Sequence, residues 1–183
     1  MEDEIIVKEC INWNMEYFWQ LYDKYIDKIY KFVFLKTSSK EIAEDITSDV
    51  FFSALNNIQK FKLQNNFSVQ AWFYKIANNK VIDYYKKNKN TSEIWDYLNL
   101  WVIDNIWENI DNKNKLIEVF NLLKDYKKEH REIFTLRIWD GLSYNEISQI
   151  TGLTVSNCKK IVSRILKIIN ANFVILLLVL ILK

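Results

Sequence analysis

Apolar side chains recur at helical spacing along most of this chain. Across residues 13–36 they are Phe18, Leu21, Tyr22, Tyr25, Ile29, Phe32 and Val33, which predicts one long amphipathic helix. Thr37-Ser38-Ser39 interrupts it, and Ser39 is placed to cap a second helix that opens Lys40-Glu-Ile-Ala-Glu-Asp. Acidic residues in a first turn complement the helix dipole. That helix is expected to run to about Ile58, burying Ile42, Ile46, Val50, Phe51 and Leu55. A polar stretch, Gln64-Asn65-Asn66, precedes a third helix over 69–87, with Trp72, Ile76 and Ile82 facing inward.

A second set of helices starts at Asn114. Lys115–Leu123 is its first, and Lys128–Trp139 its second, with Ile133, Phe134, Leu136 and Trp139 as apolar positions. Gly141 stands where a helix C-terminus wants a positive φ. Ser143-Tyr-Asn-Glu146 reads as a capping box, and Leu142 with Ile147 as a hydrophobic staple. The short helix closes at Thr151-Gly152, and Thr154 caps another from Val155 to about Ile169. On that last helix Cys158, Ile161, Val162, Ile165 and Ile169 form the apolar stripe, and Ser156, Asn157, Lys160, Ser163, Arg164 and Lys167 lie largely opposite. A short helix, a glycine turn and a basic second helix describe a helix-turn-helix that enters the major groove. Asn and Arg can read base edges, whereas Lys and Ser more often hold phosphates.

Composition supports an all-helical chain: 183 residues hold no Pro and only 2 Gly, too little punctuation for a strand-and-turn fold. The net charge of +2 hides a local pattern. Residues 72–90 carry Lys75, Lys80, Lys86, Lys87 and Lys89 against Asp83 alone, and residues 151–170 carry Lys159, Lys160, Arg164 and Lys167 with no acid. Between them, residues 91–112 hold Glu93, Asp96, Asp104, Glu108 and Asp111 with no base, and also Trp95, Trp101 and Trp107. Cys10 and Cys158 are far apart and His130 is the sole histidine, which excludes a four-ligand zinc site and leaves no catalytic arrangement. No cofactor, metal or catalytic residue is expected. Two lone thiols and an acidic N-terminus without an apolar run suit a cytoplasmic protein. Phe173–Leu182 is an unbroken apolar run, too short to span a bilayer. It is expected either to pack on protein or to enter a membrane.

With these residues in view, the chain resembles the sigma-70 family of RNA polymerase sigma factors. His130-Arg-Glu-Ile-Phe-Thr-Leu-Arg and Gly141-Leu-Ser-Tyr-Asn-Glu-Ile-Ser are similar to region 4, a segment that also resembles the helix-turn-helix of LuxR-type regulators. Ile42-Ala-Glu-Asp-Ile-Thr-Ser-Asp-Val-Phe, followed by Ala71-Trp-Phe-Tyr-Lys-Ile-Ala-Asn-Asn-Lys-Val-Ile-Asp-Tyr-Tyr-Lys-Lys, looks like region 2. With no region 3 between them the resemblance is to the extracytoplasmic-function (ECF) group. It implies two small helical domains joined by an acidic linker: a tail at 1–12, region 2 at 13–90, the linker at 91–113, region 4 at 114–172 and an apolar tail at 173–183. The linker would run toward the polymerase active-site channel.

The resemblance implies that Asp45, Ile46, Asp49 and Phe52 bind core RNA polymerase, with Glu41 and Glu44 adding negative potential. It implies contact with the −10 element through Trp72, Asn79, Lys80, Asp83, Tyr84, Tyr85, Lys86 and Lys87. Trp72, Phe73, Tyr74, Tyr84 and Tyr85 would offer surfaces for unpaired bases, with core packing as the other reading of Trp72 and Phe73. The −35 element would meet Ser156, Asn157, Lys159, Lys160, Ser163, Arg164 and Lys167. Promoter DNA, core polymerase and an anti-sigma factor are the implied partners, with membrane contact through 173–183 as a further one. Two departures stand out. The Leu-Pro that usually opens region 4 is missing around Leu123-Lys-Asp-Tyr126, and Asn157-Cys-Lys-Lys-Ile161 replaces the family's frequent Thr-Val-Lys-Ser-Arg. The competing expectation is a stand-alone helix-turn-helix regulator, membrane-associated in one version.

Overall fold

The computed structural model describes residues 2–61, 68–88, 123 and 125–181, with side chains as far as Ala171. Every regular element among them is helical. The chain divides into two units, residues 1–96 and 97–183.

The first unit contains α1 (Glu2–Ile11), α2 (Phe18–Thr37), α3 (Lys40–Asn57) and α4 (Val69–Lys87), with short 3-10 turns at Met15–Tyr17 and Ile58–Lys60. Helices α2, α3 and α4 pack on one another in every pairing. Phe73 lies at their meeting point, 5.3 Å from Tyr25 and 5.0 Å from Phe51 between ring centres, and all three are buried. Ser38 ends α2 in the left-handed conformation, at φ +54, and Ser39 accepts a hydrogen bond from the Ile42 amide at 3.4 Å. The expected break and cap are therefore where the polar triplet put them.

Within the stretch 1–12 expected as a tail, Glu2–Ile11 forms α1, which packs on α2 and on both 3-10 turns and buries Ile6, Val7 and Cys10. Asp3 fixes it in place, accepting from Lys24 Nζ at 2.5 Å and from the Tyr25 hydroxyl.

Helix α4 corrects the inward set. Val69, Ala71, Phe73, Tyr74, Ala77, Asn78 and Val81 are buried, whereas Trp72 and Ile76 are half-buried and Ile82 is 42% exposed. The reason is that α4 packs against two helices at once, which widens its buried face and rotates it off the Trp72–Ile76 line. Trp72 instead stacks on Phe61 with ring centres 4.5 Å apart. Tyr74 packs edge-on to Phe32 and offers no surface to a base. Asn78 is a buried amide whose carbonyl accepts from Lys36 Nζ at 2.7 Å. On α3, Ile42 is only half-buried and Leu55 is exposed, while Ala43, Thr47 and Ala54 fill the interior.

In the second unit α5 (Lys128–Ile138), α6 (Tyr144–Thr151) and α7 (Val155–Ile181) pack mutually. Their core is Ile133, Phe134, Leu136, Leu142, Ile147, Ile150, Cys158, Val162, Ile165 and Ile169. Gly141 takes φ +71, which lets the Leu142 amide turn back to the Leu136 carbonyl at 3.0 Å. Helix α7 does not stop at 169 or 172: its backbone stays helical to Ile181. Among the described residues no helix is long and apolar enough to cross a membrane. The expected helix at 115–123, apart from Leu123, and the acidic stretch 91–113 lie outside the described residues.

Candidate nucleic-acid interface

The turn between α6 and α7 is built from its own hydroxyls. Ser143 accepts from the Glu146 amide at 3.3 Å, and the Glu146 carboxylate accepts from the Ser143 amide at 2.8 Å, completing the capping box. Gly152 sits at φ +80, and its amide donates to the Ser148 carbonyl at 2.9 Å. The Ser148 hydroxyl donates to the Leu153 carbonyl at 2.5 Å, and Thr151 Oγ1 accepts from the Leu153 amide at 3.3 Å. Thr154 Oγ1 then accepts from the Asn157 amide at 3.3 Å, capping α7. The sequence pointed to Ser143, Glu146, Gly152 and Thr154. It missed Ser148 and Thr151, because Ser and Thr late in a helix carry no positional signature of their own. Ser143→Ala should lower unfolding stability by about 1 kcal/mol, the usual cost of losing a cap, measured by denaturant titration. No change would mean that the box contributes nothing beyond solvent.

Of the apolar stripe on α7, Cys158, Val162, Ile165 and Ile169 are buried and Ile161 is half-buried. Ser156, Asn157, Lys159, Lys160, Ser163, Arg164 and Lys167 are all exposed. The spacing of 156, 160, 163, 164 and 167 puts them on one face of the helix. Lys159 lies at its edge, its ammonium 5.8 Å from the Tyr144 ring centre; the Arg137 guanidinium lies 4.8 Å from the same ring. Arg137 also donates to the Leu142 carbonyl at 2.9 Å, so a cation is held at the entrance to α6 that sequence reasoning did not single out. Burial pushes the Cys158 thiol pKa up, as it does for Cys10. Both stay protonated at neutral pH and serve as apolar filler.

In the first unit, positions 72, 79, 83 and 86 share the outward face of α4. Trp72 is half-exposed there, and Asn79, Asp83 and Lys86 are exposed. Asp83 and Lys86 pair at 3.7 Å. Lys80, Tyr84 and Lys87 lie on the flank of that face. Tyr85 does not reach the outward face: its ring packs edge-on against Tyr84, centres 5.4 Å apart, and its hydroxyl donates to the Lys36 carbonyl at 2.6 Å. On α3, Asp45 and Asp49 are exposed and Phe52 is 67% exposed, whereas Ile46 is buried and supports the face from within. Lys80 Nζ lies 3.7 Å from the Asp49 carboxylate, so an ion pair bridges the acidic face of α3 and the flank of α4. Beside Phe52 a groove of about 680 Å³ opens between α2 and α3, lined by Phe18, Trp19, Tyr22, Phe51 and Leu55, with Glu44 and Asp27 among its polar residues.

Comparison with known proteins agrees with both units. Residues 21–91 match the family described as Sigma-70 region 2, and residues 127–169 match Sigma-70, region 4; together they cover more than half of the chain. The chain is 28% identical to the ECF RNA polymerase sigma factor SigM of Bacillus subtilis, covering 79% of this chain and 88% of that protein. It is 32% identical to the ECF RNA polymerase sigma factor BldN of Streptomyces coelicolor over 74% of this chain, but spans only 52% of that protein. Among solved structures, CnrH in complex with the cytosolic domain of CnrY has the same fold, with TM-score 0.63, 18% identity and coverage of 94% of this chain and 97% of that one. The sigma factor RpoE of Bartonella quintana, solved with the anti-sigma factor NepR, has TM-score 0.59, 17% identity and coverage of 84% and 94%.

Proposed function

This chain belongs to the sigma-70 family of RNA polymerase sigma factors, in its ECF group, and we propose how its surfaces divide the work of directing transcription initiation. The second unit reads the −35 element through the exposed face of α7, with Asn157 and Arg164 toward base edges and Ser156, Lys159, Lys160, Ser163 and Lys167 on phosphates. The outward face of α4 meets the −10 element. Trp72 and Tyr84 stack on unpaired bases, Asn79 and Asp83 hydrogen-bond a splayed base, and Lys80, Lys86 and Lys87 neutralise phosphates. Tyr85 serves this face from behind by tying α4 to the end of α2. The acidic face of α3, with Asp45, Asp49 and Phe52, docks on core polymerase, and the α2–α3 groove beside it accepts an apolar anchor from the docked helix.

The polymerase supplies the chemistry, and the chain supplies placement. An anti-sigma partner that lays an amphipathic helix into the same groove would block core binding by occupancy alone. Such a subunit works in the cytoplasm, where the promoter is. The observation that carries the reading is that all seven α7 candidates are exposed while the Cys158–Val162–Ile165–Ile169 stripe is buried.

Lys160→Ala tests it. Binding to −35 DNA should weaken about equally across sequences, and the slope of log affinity against log salt should fall by about one. A change of sequence preference at constant slope would make Lys160 a base reader and overturn its assignment to phosphate.

A further inference from the structure

The helix that carries the DNA-facing cations is the same helix that carries the apolar run. α7 is a single 27-residue rod, about 40 Å long, with no break at the Asn170-Ala-Asn172 step. Every residue from Phe173 to Leu182 is apolar, so a helix through this run is apolar on all sides. A protein groove covers one side of a helix, and hydrocarbon covers all of them. From 173 to 181 the rod is about 14 Å long, roughly the depth of one leaflet, and no helix among the described residues is long and apolar enough to cross. Immediately before the run stand two asparagines, suited to a headgroup layer. Before them, Lys159, Lys160, Arg164 and Lys167 are all exposed, with no acid between Thr151 and Asn172. Lys167 lies about 9 Å along the axis from Phe173, and Arg164 about 14 Å, close to the reach of a membrane's surface potential. An apolar segment plus a basic patch is the two-signal arrangement that holds a protein on an anionic bilayer.

We propose that α7 enters an anionic membrane from one side, its apolar run in the acyl layer and its basic face on lipid phosphates, so that membrane and promoter compete for one set of cations. The competition rests on reading that face as the −35 surface; the membrane contact does not.

The test floats the full chain with vesicles of phosphatidylcholine alone and with vesicles that also contain phosphatidylglycerol. Partitioning should be at least about tenfold greater on the anionic vesicles. It should fall about fivefold for each of Arg164→Ala and Lys167→Ala. It should be lost in Leu177→Asp with helical content by circular dichroism otherwise unchanged, and −35 duplex should displace the bound chain. Equal flotation on both vesicle types, no flotation at all, or flotation indifferent to −35 duplex that the chain demonstrably binds would overturn the proposal. A mobility shift with the same variants separates it from the promoter reading. If Arg164→Ala and Lys167→Ala lose vesicles yet hold DNA unchanged, the membrane contact stands, and the −35 face and the competition fall.

Discussion

Asp49→Arg abolishes the binding of this chain to core RNA polymerase and leaves its helical content unchanged: this is the largest single-residue effect expected. Asp49 is 67% exposed at its side chain, and its ion pair among the described residues, with a Lys80 that is itself 36% exposed, has a separation of 3.7 Å. A pair so open to water contributes no more than about 1 kcal/mol, so losing it leaves the three-helix core standing. At a docked interface the same carboxylate is desolvated against a positive partner, where truncating one charge costs about 2–5 kcal/mol and reversal costs more. Affinity should fall by about a hundredfold or beyond, read by pull-down or by competition with the unmodified chain. Asp45→Arg should act in the same direction and less strongly, because Asp45 has no cation on α4 to set its orientation among the ion pairs described. Core binding that survives both substitutions would remove α3 as the polymerase surface.

The second large effect falls on promoter opening. Trp72→Ala should slow the appearance of unpaired thymines in the −10 element by about 5- to 150-fold, the range that losing one base–aromatic stack of about 1–3 kcal/mol implies. Permanganate reactivity in the assembled polymerase reads it directly. Trp72 also stacks on Phe61, so part of the loss could come from the fold. Trp72→Tyr separates the two, since it keeps a flat ring on the DNA side and should restore most of the rate at similar stability. If Trp72→Tyr is as slow as Trp72→Ala, the ring is not a platform for a base. Phe73 and Tyr74 belong to the opposite class: both are fully buried, and their substitution should act on stability first.

The contrast between these neighbours shows where the sequence was legible. Elements ended by a local chemical device could be read to the residue. Ser39, Ser143 and Thr154 cap because each hydroxyl accepts from the amide three residues on, and Gly141 and Gly152 turn because each takes a positive φ. The apolar stripe of α7 was nearly as clear, because a helix resting on one side of a small core has one narrow buried face. α4 was not, because it is wedged between α2 and α3, and a face that wide includes Asn78 and excludes Trp72 and Ile82. No periodicity over a single helix reports how many neighbours it has. α1 was missed for a related reason: Ile6, Val7 and Cys10 are too few to mark an amphipathic helix, and what holds it is Asp3 reaching residues about twenty positions away. Tyr85 illustrates the same limit at the candidate site: nothing in the pair Tyr84-Tyr85 reveals that the second hydroxyl is taken by the Lys36 carbonyl, 49 positions away.

Three surfaces of this chain, on α3, α4 and α7, together bring core polymerase to a two-part promoter. The most direct test is transcription in vitro by bacterial core RNA polymerase on a randomised template pool, with and without the purified chain. The account predicts chain-dependent transcripts whose templates are enriched for two sequence blocks at −35 and −10, with the enrichment lost in Asp49→Arg. Binding of the chain to a single operator block with no effect on core polymerase would contradict it and leave a stand-alone helix-turn-helix regulator as the correct description.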